Sequence, residues 1–128
     1  MLENIQRYQQ VGSNVHISVT VTVSIYNVLY LDQIHNFFNS LGINCSFNLL
    51  HNPESMNIRA LPEAAKLGVK DHLLAKFDNP LKQSIVDFME LPLDNKDFFH
   101  VTKQIDQQRN QSFANTFPEM YKLIKQYE

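Results

Sequence analysis

One segment near the amino end alternates strictly between apolar and polar residues. In residues 15–24 every odd position is a β-branched apolar residue and every even position is polar. A period of two is typical of a β-strand with one apolar and one polar face, so we predict a strand here. Its polar face carries small hydroxyl side chains, at Ser18, Thr20, Thr22 and Ser24.

The hydrophobic pattern then changes its period. Residues 26–41 place their apolar side chains on one helical stripe, and Gly42 follows at a position where helices often end in a left-handed residue. A second alternating run occupies residues 44–51. Because a connection that contains a helix is too long for a hairpin, we predict a parallel strand-helix-strand unit over residues 15–51.

The second half of the chain repeats apolar residues at three- and four-residue spacing, as amphipathic helices do. Residues 2–10 share this spacing and predict either a short first helix or the last turns of a helix in a larger domain. Residues 56–61 lie between two prolines and predict a few extended residues at most. Helix starts are indicated at Pro62, at Asn79 and Pro80, at Asp94 or Asn95, and at the T-x-x-E capping box of residues 116–119.

Two parallel strands make an incomplete sheet, since parallel sheets usually contain more strands and are covered on both faces. The length of 128 residues and the 44% content of hydrophobic residues suit one domain of ordinary size. We therefore predict a single α/β domain over residues 1–128. It is an incomplete, partial βα barrel with about two parallel strands, followed by a mainly helical part over residues 62–128.

Charge and composition exclude some classes of partner. The formal net charge is -2 and the lysines are scattered among acidic and apolar residues, so we expect no nucleic-acid partner. No apolar run is long enough to span a membrane and no signal peptide is visible, so we expect no membrane partner and a cytoplasmic location. The single cysteine, Cys45, excludes an intrachain disulfide, and its place on an apolar strand face predicts a buried, inert thiol.

Candidate chemistry is confined to the polar face of the two strands. No catalytic or phosphate-binding motif is present, and His16 and His51 would lie about 20 Å apart at opposite ends of the strands, so we expect no metal site. In α/β barrels one strand face lines the lumen, and ligands bind at the carboxyl ends of the strands. The candidate ligand-binding residues at that end are Thr22, Ser24, Asn27, Asn48 and His51. The alternative is that the hydroxyl groups simply face solvent on a half-exposed sheet.

Two patches of sequence carry a family resemblance. The first is the run of residues 22–27 entering a helix, with Gly42 and residues 44–50 after it, continued by Asn-Pro at 52–53, Leu-Pro at 61–62 and Lys66. The second is the D-x-x-R-N-Q-S-F run of residues 106–113, followed by T-F-P-E at 116–119. Together they resemble the C-terminal half of a radical S-adenosylmethionine protein of the twitch-domain type, whose partial barrel has a late strand-helix-strand unit and similar endings.

The chain departs from that family at the cofactor. The family binds a [4Fe-4S] cluster through the three thiolates of a C-x-x-x-C-x-x-C motif, whereas this chain has only Cys45. The resemblance thus implies a scaffold that holds no cofactor alone and is not catalytic by itself. It implies S-adenosylmethionine and the cluster for the complete protein, with a cluster-bearing N-terminal half or partner chain. Thr22, Ser24 and Asn27 would then lie near S-adenosylmethionine or the substrate.

Two other functions remain open from the sequence. The chain could be a non-enzymatic interaction module that pairs its open sheet edge with itself or with another protein. It could also be a small, cluster-independent ligand-binding protein that uses the hydroxyl face.

Overall fold

The predicted parallel strand-helix-strand unit is present. In the computed structural model, which describes residues 1–128, strand β1 (Ser18–Val23) pairs in parallel with β2 (Asn44–Leu49), with Ser18 opposite Asn44 and Val23 opposite Leu49. These two strands form the sheet, and no third strand pairs with either outer edge. Strand β1 begins later than predicted, because residues 15–17 would face the turn that ends the connecting helix and have no partner strand.

The remainder of the fold is mainly helical, as expected. The structure contains seven α-helices: α1 (Leu2–Gln9), α2 (Leu31–Ser40), α3 (Glu63–Lys76), α4 (Lys82–Glu90), α5 (Phe98–Arg109), α6 (Phe113–Thr116) and α7 (Pro118–Ile124). Short 3-10 turns lie at Val28–Tyr30, Glu54–Met56, Ile58–Ala60 and Lys125–Tyr127. None of these helices combines the length and the apolar character that crossing a lipid bilayer requires.

The connection between the strands ends as its sequence predicts. Helix α2 stops at Ser40, and Gly42 adopts a left-handed conformation with a φ of 68°. The amide of Ile43 then donates to the carbonyl of Phe38 at 3.0 Å, which satisfies one of the carbonyl groups left free at the end of the helix. The chain therefore enters β2 directly after the turn.

Two predictions about the segments that precede α3 and α5 were wrong. Residues 56–61 are not extended, because the buried side chain of Asn57 accepts a hydrogen bond from the amide of Arg59 and curls the chain into 3-10 turns. Helix α5 starts at Phe98 rather than next to Asp94 or Asn95, since the side chain of Asn95 instead accepts from the amide of Asp97 in the preceding turn.

The predicted capping box at residues 116–119 does not form. Thr116 ends helix α6, which is capped at its start by the hydroxyl of Ser112, and α7 begins at Pro118. The carboxylate of Glu119 accepts a hydrogen bond from the hydroxyl of Tyr30 instead. A tertiary partner has replaced the local one.

The main core lies beyond the carboxyl end of β1 rather than under the sheet. It contains 19 buried residues, of which only Val23 belongs to a strand. The segment after Val23 contributes Ile25, Val28, Leu29 and Leu31, and helices α3 to α7 supply most of the others. A smaller cluster of Ile5, Phe38 and Ile43 fills the space between α1, α2 and the sheet.

Aromatic side chains join the segment after β1 to the C-terminal helices. The ring of Tyr26 stacks on Phe117 with centroids 5.7 Å apart and contacts Phe98 and Phe113 at 5.7 and 5.5 Å. Its hydroxyl lies 3.1 Å from the hydroxyl of Thr102, so the polar tip is also satisfied. Tyr26 therefore connects α5, α6 and α7 through one side chain.

A second tyrosine fastens the start of α7. The hydroxyl of Tyr30 donates to Glu119 Oε2 at 2.7 Å and accepts from the amide of Glu119 at 3.2 Å. Burial, together with the adjacent Glu119 carboxylate, raises the pKa of Tyr30 to about 12. The same hydrogen bond lowers the pKa of Glu119, because it stabilises the carboxylate.

We expect Tyr30→Phe to lower the free energy of unfolding by about 1–2 kcal/mol at neutral pH, because the donor to a charged acceptor is lost. The pKa of Tyr30 is raised in the folded chain, so its stabilising effect is complete below pH 10.0, the ordinary value, and disappears as the pH rises to about 12. Denaturant unfolding of both proteins between pH 7 and pH 12 measures the difference.

The matched control is Tyr127→Phe, since Tyr127 is exposed and its hydroxyl has no hydrogen-bond partner. This change should alter stability by no more than about 0.5 kcal/mol. A difference between the wild type and Tyr30→Phe that stays constant through pH 12 would contradict the role assigned to this hydroxyl.

Candidate functional site

The two faces of the sheet differ in exposure. Residues 19, 21 and 23 of β1 and residues 45, 47 and 49 of β2 pack against the two apolar clusters. The polar side chains on the opposite face are all exposed: Ser18, Thr20, Thr22, Asn44, Ser46 and Asn48. The alternation of the sequence therefore separates a covered face from a hydroxyl-rich face, which we call the hydroxyl face.

Two of the five predicted binding residues lie side by side on the hydroxyl face. Thr22 and Asn48 are register partners at the carboxyl end of the strands. Adjacent strands lie about 4.8 Å apart, so a hydroxyl and an amide stand together here. Ser24 follows two residues after Thr22 and is half-buried. Thr22 and Asn48 can offer both donors and acceptors to one ligand.

The side chain of Asn27 has a structural role. Its Nδ2 donates to the carbonyl of Thr22 at 2.9 Å, and its Oδ1 accepts from the amide of Ser24 at 2.9 Å. The side chain thus closes the turn that leads β1 into the 3-10 turn Val28–Tyr30. Its hydrogen-bonding groups are occupied by the backbone, which fixes the position of Ser24.

His51 lies apart from this pair, beside helix α4. Its exposed ring meets the ring of Phe88 edge-on, with centroids 5.2 Å apart. The guanidinium of Arg59 lies 5.7 Å from the centre of the same ring and is held by the carbonyl of Pro92 at 2.7 Å. Of the five predicted residues, Thr22 and Asn48 are thus register partners, Ser24 is half-buried, Asn27 bonds to the backbone and His51 packs on α4.

A cavity of about 600 Å³ is lined by none of the five predicted binding residues. It borders Ile25, just after β1, and extends between the starts of α3 and α5. Its most buried charged residue is Lys66, which is 4% exposed. The scatter of the lysines along the sequence predicts a solvated position for Lys66, but its spacing from Val69 and Leu73 puts it on the buried stripe of α3.

Cys45 and His72 lie among contacts within the fold. Cys45 is half-buried, and burial raises the pKa of its thiol, which keeps it protonated and poorly nucleophilic. His72 pairs with Asp32 at 3.0 Å between α3 and α2. No three His, Cys, Asp or Glu side chains lie together in a way that could hold a metal ion.

The contrast between Asn27 and Asn48 is testable. Asn27→Ala should lower the free energy of unfolding by about 1–2 kcal/mol, because two backbone groups lose their partner. Asn48→Ala should change it by less than about 0.5 kcal/mol, since the side chain of Asn48 is exposed and makes no hydrogen bond in the fold. Urea unfolding measures both, and equal losses in the two variants would contradict this division between a structural and a surface-exposed amide.

The chain matches no protein-family model, no curated protein and no solved structure. An assignment of function therefore depends on its own residues and geometry.

Proposed function

We propose that this chain is the C-terminal segment of a radical S-adenosylmethionine protein of the twitch type. It contributes two late parallel strands and the C-terminal helices to a partial βα barrel. A cluster-bearing N-terminal half, or a partner chain, supplies the remaining strands and the cluster cysteines. The observation that carries the proposal is a parallel sheet whose hydroxyl face is exposed along its whole length.

Such a sheet is unusual for a finished domain. Parallel sheets are normally covered on both faces, whereas here the helices pack against the apolar face only. Both outer edges also lack a partner strand. In a partial barrel the same face would line the lumen, and further strands would pair with at least one edge. A position in the lumen would explain why the polar residues of the hydroxyl face are small and able to form hydrogen bonds.

The two patches of family resemblance meet in the fold, which supports a shared scaffold. Tyr26, in the first patch, packs on Phe113 and Phe117 in the second. Within the second patch the carboxylate of Asp106 accepts from the amide of Phe113 at 2.9 Å and sets the turn between α5 and α6. The residues that carry the resemblance are thus the ones that fasten the C-terminal helices to the unit of β1, α2 and β2.

In this proposal the chemistry is shared between this chain and the cluster-bearing part. The cluster does not fit this chain, because it requires three thiolates and the single cysteine is half-buried on the covered face of β2. Reductive cleavage of S-adenosylmethionine is the chemistry that the cluster-bearing part would supply. Thr22 and Asn48 would contribute hydrogen bonds to S-adenosylmethionine or the substrate from the carboxyl end of the strands.

The first part of the test is the coding sequence immediately upstream, where the proposal expects a C-x-x-x-C-x-x-C motif. The polypeptide that carries this motif is then combined with this chain under anaerobic conditions, after reconstitution with iron and sulfide. We expect a stable complex, slower hydrogen exchange at the amides of β1 and β2, and reductant-dependent formation of 5′-deoxyadenosine. Asn48→Ala should reduce that formation about tenfold, as expected for one lost hydrogen bond. Ser18→Ala, at the far end of the same face, is the matched control and should leave it unchanged.

Absence of a complex with the cluster-bearing polypeptide would contradict the proposal. The proposal would also be contradicted if light scattering showed a concentration-dependent dimer whose formation protects the same amides. The open edge would then serve self-association. Binding of S-adenosylmethionine to the isolated chain with full affinity would instead favour a cluster-independent ligand-binding protein.

A further inference from the structure

We propose that the cavity between the starts of α3 and α5 binds a small organic carboxylate with an apolar body, and that the ammonium group of Lys66 is its counter-ion. This site is separate from the hydroxyl face, because neither Thr22 nor Asn48 lines the cavity. The inference therefore does not depend on the function proposed for the strands.

The first support is the burial of a charged amine. The side chain of Lys66 is only 5% exposed, and its Nζ has one partner, Glu63 Oε1 at 3.2 Å. An ammonium group carries three donors, and lysines are almost never fully buried unless they are paired. One contact leaves Lys66 able to donate to a further acceptor inside the cavity.

The present partner of Lys66 is easily displaced. The side chain of Glu63 is 90% exposed, so its carboxylate can turn into water at little cost. Lys66 therefore holds the Glu63 carboxylate through a single contact at the surface of the cavity. A ligand carboxylate that buries its apolar body at the same time can therefore replace Glu63.

The electrostatic surroundings favour a negative ligand. Helices α3 and α5 both begin in the cavity wall, at Glu63 and Phe98, and neither has a side-chain cap at its amino end. Free amide groups at helix starts attract anions. Glu63 and Asp94 oppose this attraction and Lys96 adds to it, but of the four charged groups in the wall only Lys66 is buried.

The size and lining of the cavity define the rest of the ligand. A volume of about 600 Å³ is within the range of small-molecule sites. Its apolar wall includes Ile25, Leu61, Leu93, Phe98, Phe99 and Ile124. A single buried cation within a mostly apolar wall suits one negative charge on an aromatic or branched aliphatic body, rather than a multiply charged phosphate.

The test uses 3-phenylpropionate as the probe, with binding to the full chain measured by calorimetry and located from amide chemical shifts. We expect binding, with the largest shifts at residues 63–66 and 98–99. The neutral amide of the same acid and inorganic phosphate should each bind at least about tenfold more weakly. The amide lacks the negative charge, and phosphate lacks the apolar body. Equal binding of the amide, or tighter binding of phosphate, would overturn the proposal.

Two variants test the roles of the charges. Glu63→Gln removes the competing carboxylate at an exposed position and should tighten binding about two- to fivefold. Lys66→Met should weaken it at least about tenfold, whereas Lys70→Met, which changes a lysine paired with Glu90 outside the cavity, should not. Should Lys66→Met fail to fold, unchanged or weaker binding by Glu63→Gln would still overturn the proposal, as would absence of probe binding to the wild type.

Discussion

The fold depends on burial of the segment that follows strand β1. Two parallel strands cannot enclose a core, so the chain builds its core from Val23 onward, where Ile25, Val28 and Leu31 are completely or almost completely buried. Each such side chain contributes about 1.5–3 kcal/mol when it is removed from water. The C-terminal helices are needed because they provide the other wall of this core. The sheet is thus attached to the core at its carboxyl end and remains free on its hydroxyl face.

Hydrogen-bonding side chains determine how the segment after β1 is oriented within that core. Asn27 closes the turn after β1, Tyr30 holds the start of α7, and Asp106 sets the turn into α6. Each connects backbone groups that would otherwise be unsatisfied near a buried surface, where an unpaired group is costly. Apolar burial supplies the stability of this assembly, and these contacts supply its geometry.

The carboxyl end of the strands has two surfaces with different chemistry. Thr22 and Asn48 offer neutral hydrogen-bonding groups on an open face, whereas the cavity beside Ile25 combines an apolar wall with one buried ammonium group. An open polar face next to unpaired strand edges is suited to completion by another part of a protein. A partly enclosed apolar cavity is suited to a small ligand. Both positions agree with the general tendency of α/β proteins to bind ligands beyond the carboxyl ends of their strands.

The sequence by itself determined the two strands, their parallel pairing, the left-handed turn at Gly42 and the helical second half. These features follow from local periodicity and from the length of the connection, which neighbouring residues specify directly. It also predicted Thr22 and Asn48 on one polar face, because strand alternation decides which side a residue takes.

Only the tertiary structure decided which polar side chains are hydrogen-bonded within the fold and which are available to a ligand. Asn27 bonds to backbone groups, Glu119 accepts from Tyr30 instead of forming the predicted capping box, and Lys66 is buried in a helix against which α7 packs. Each outcome depends on a partner that is remote in sequence or on the closing of a turn. Local patterns describe the side on which a residue lies, but the contacts it makes depend on which elements come to cover that side.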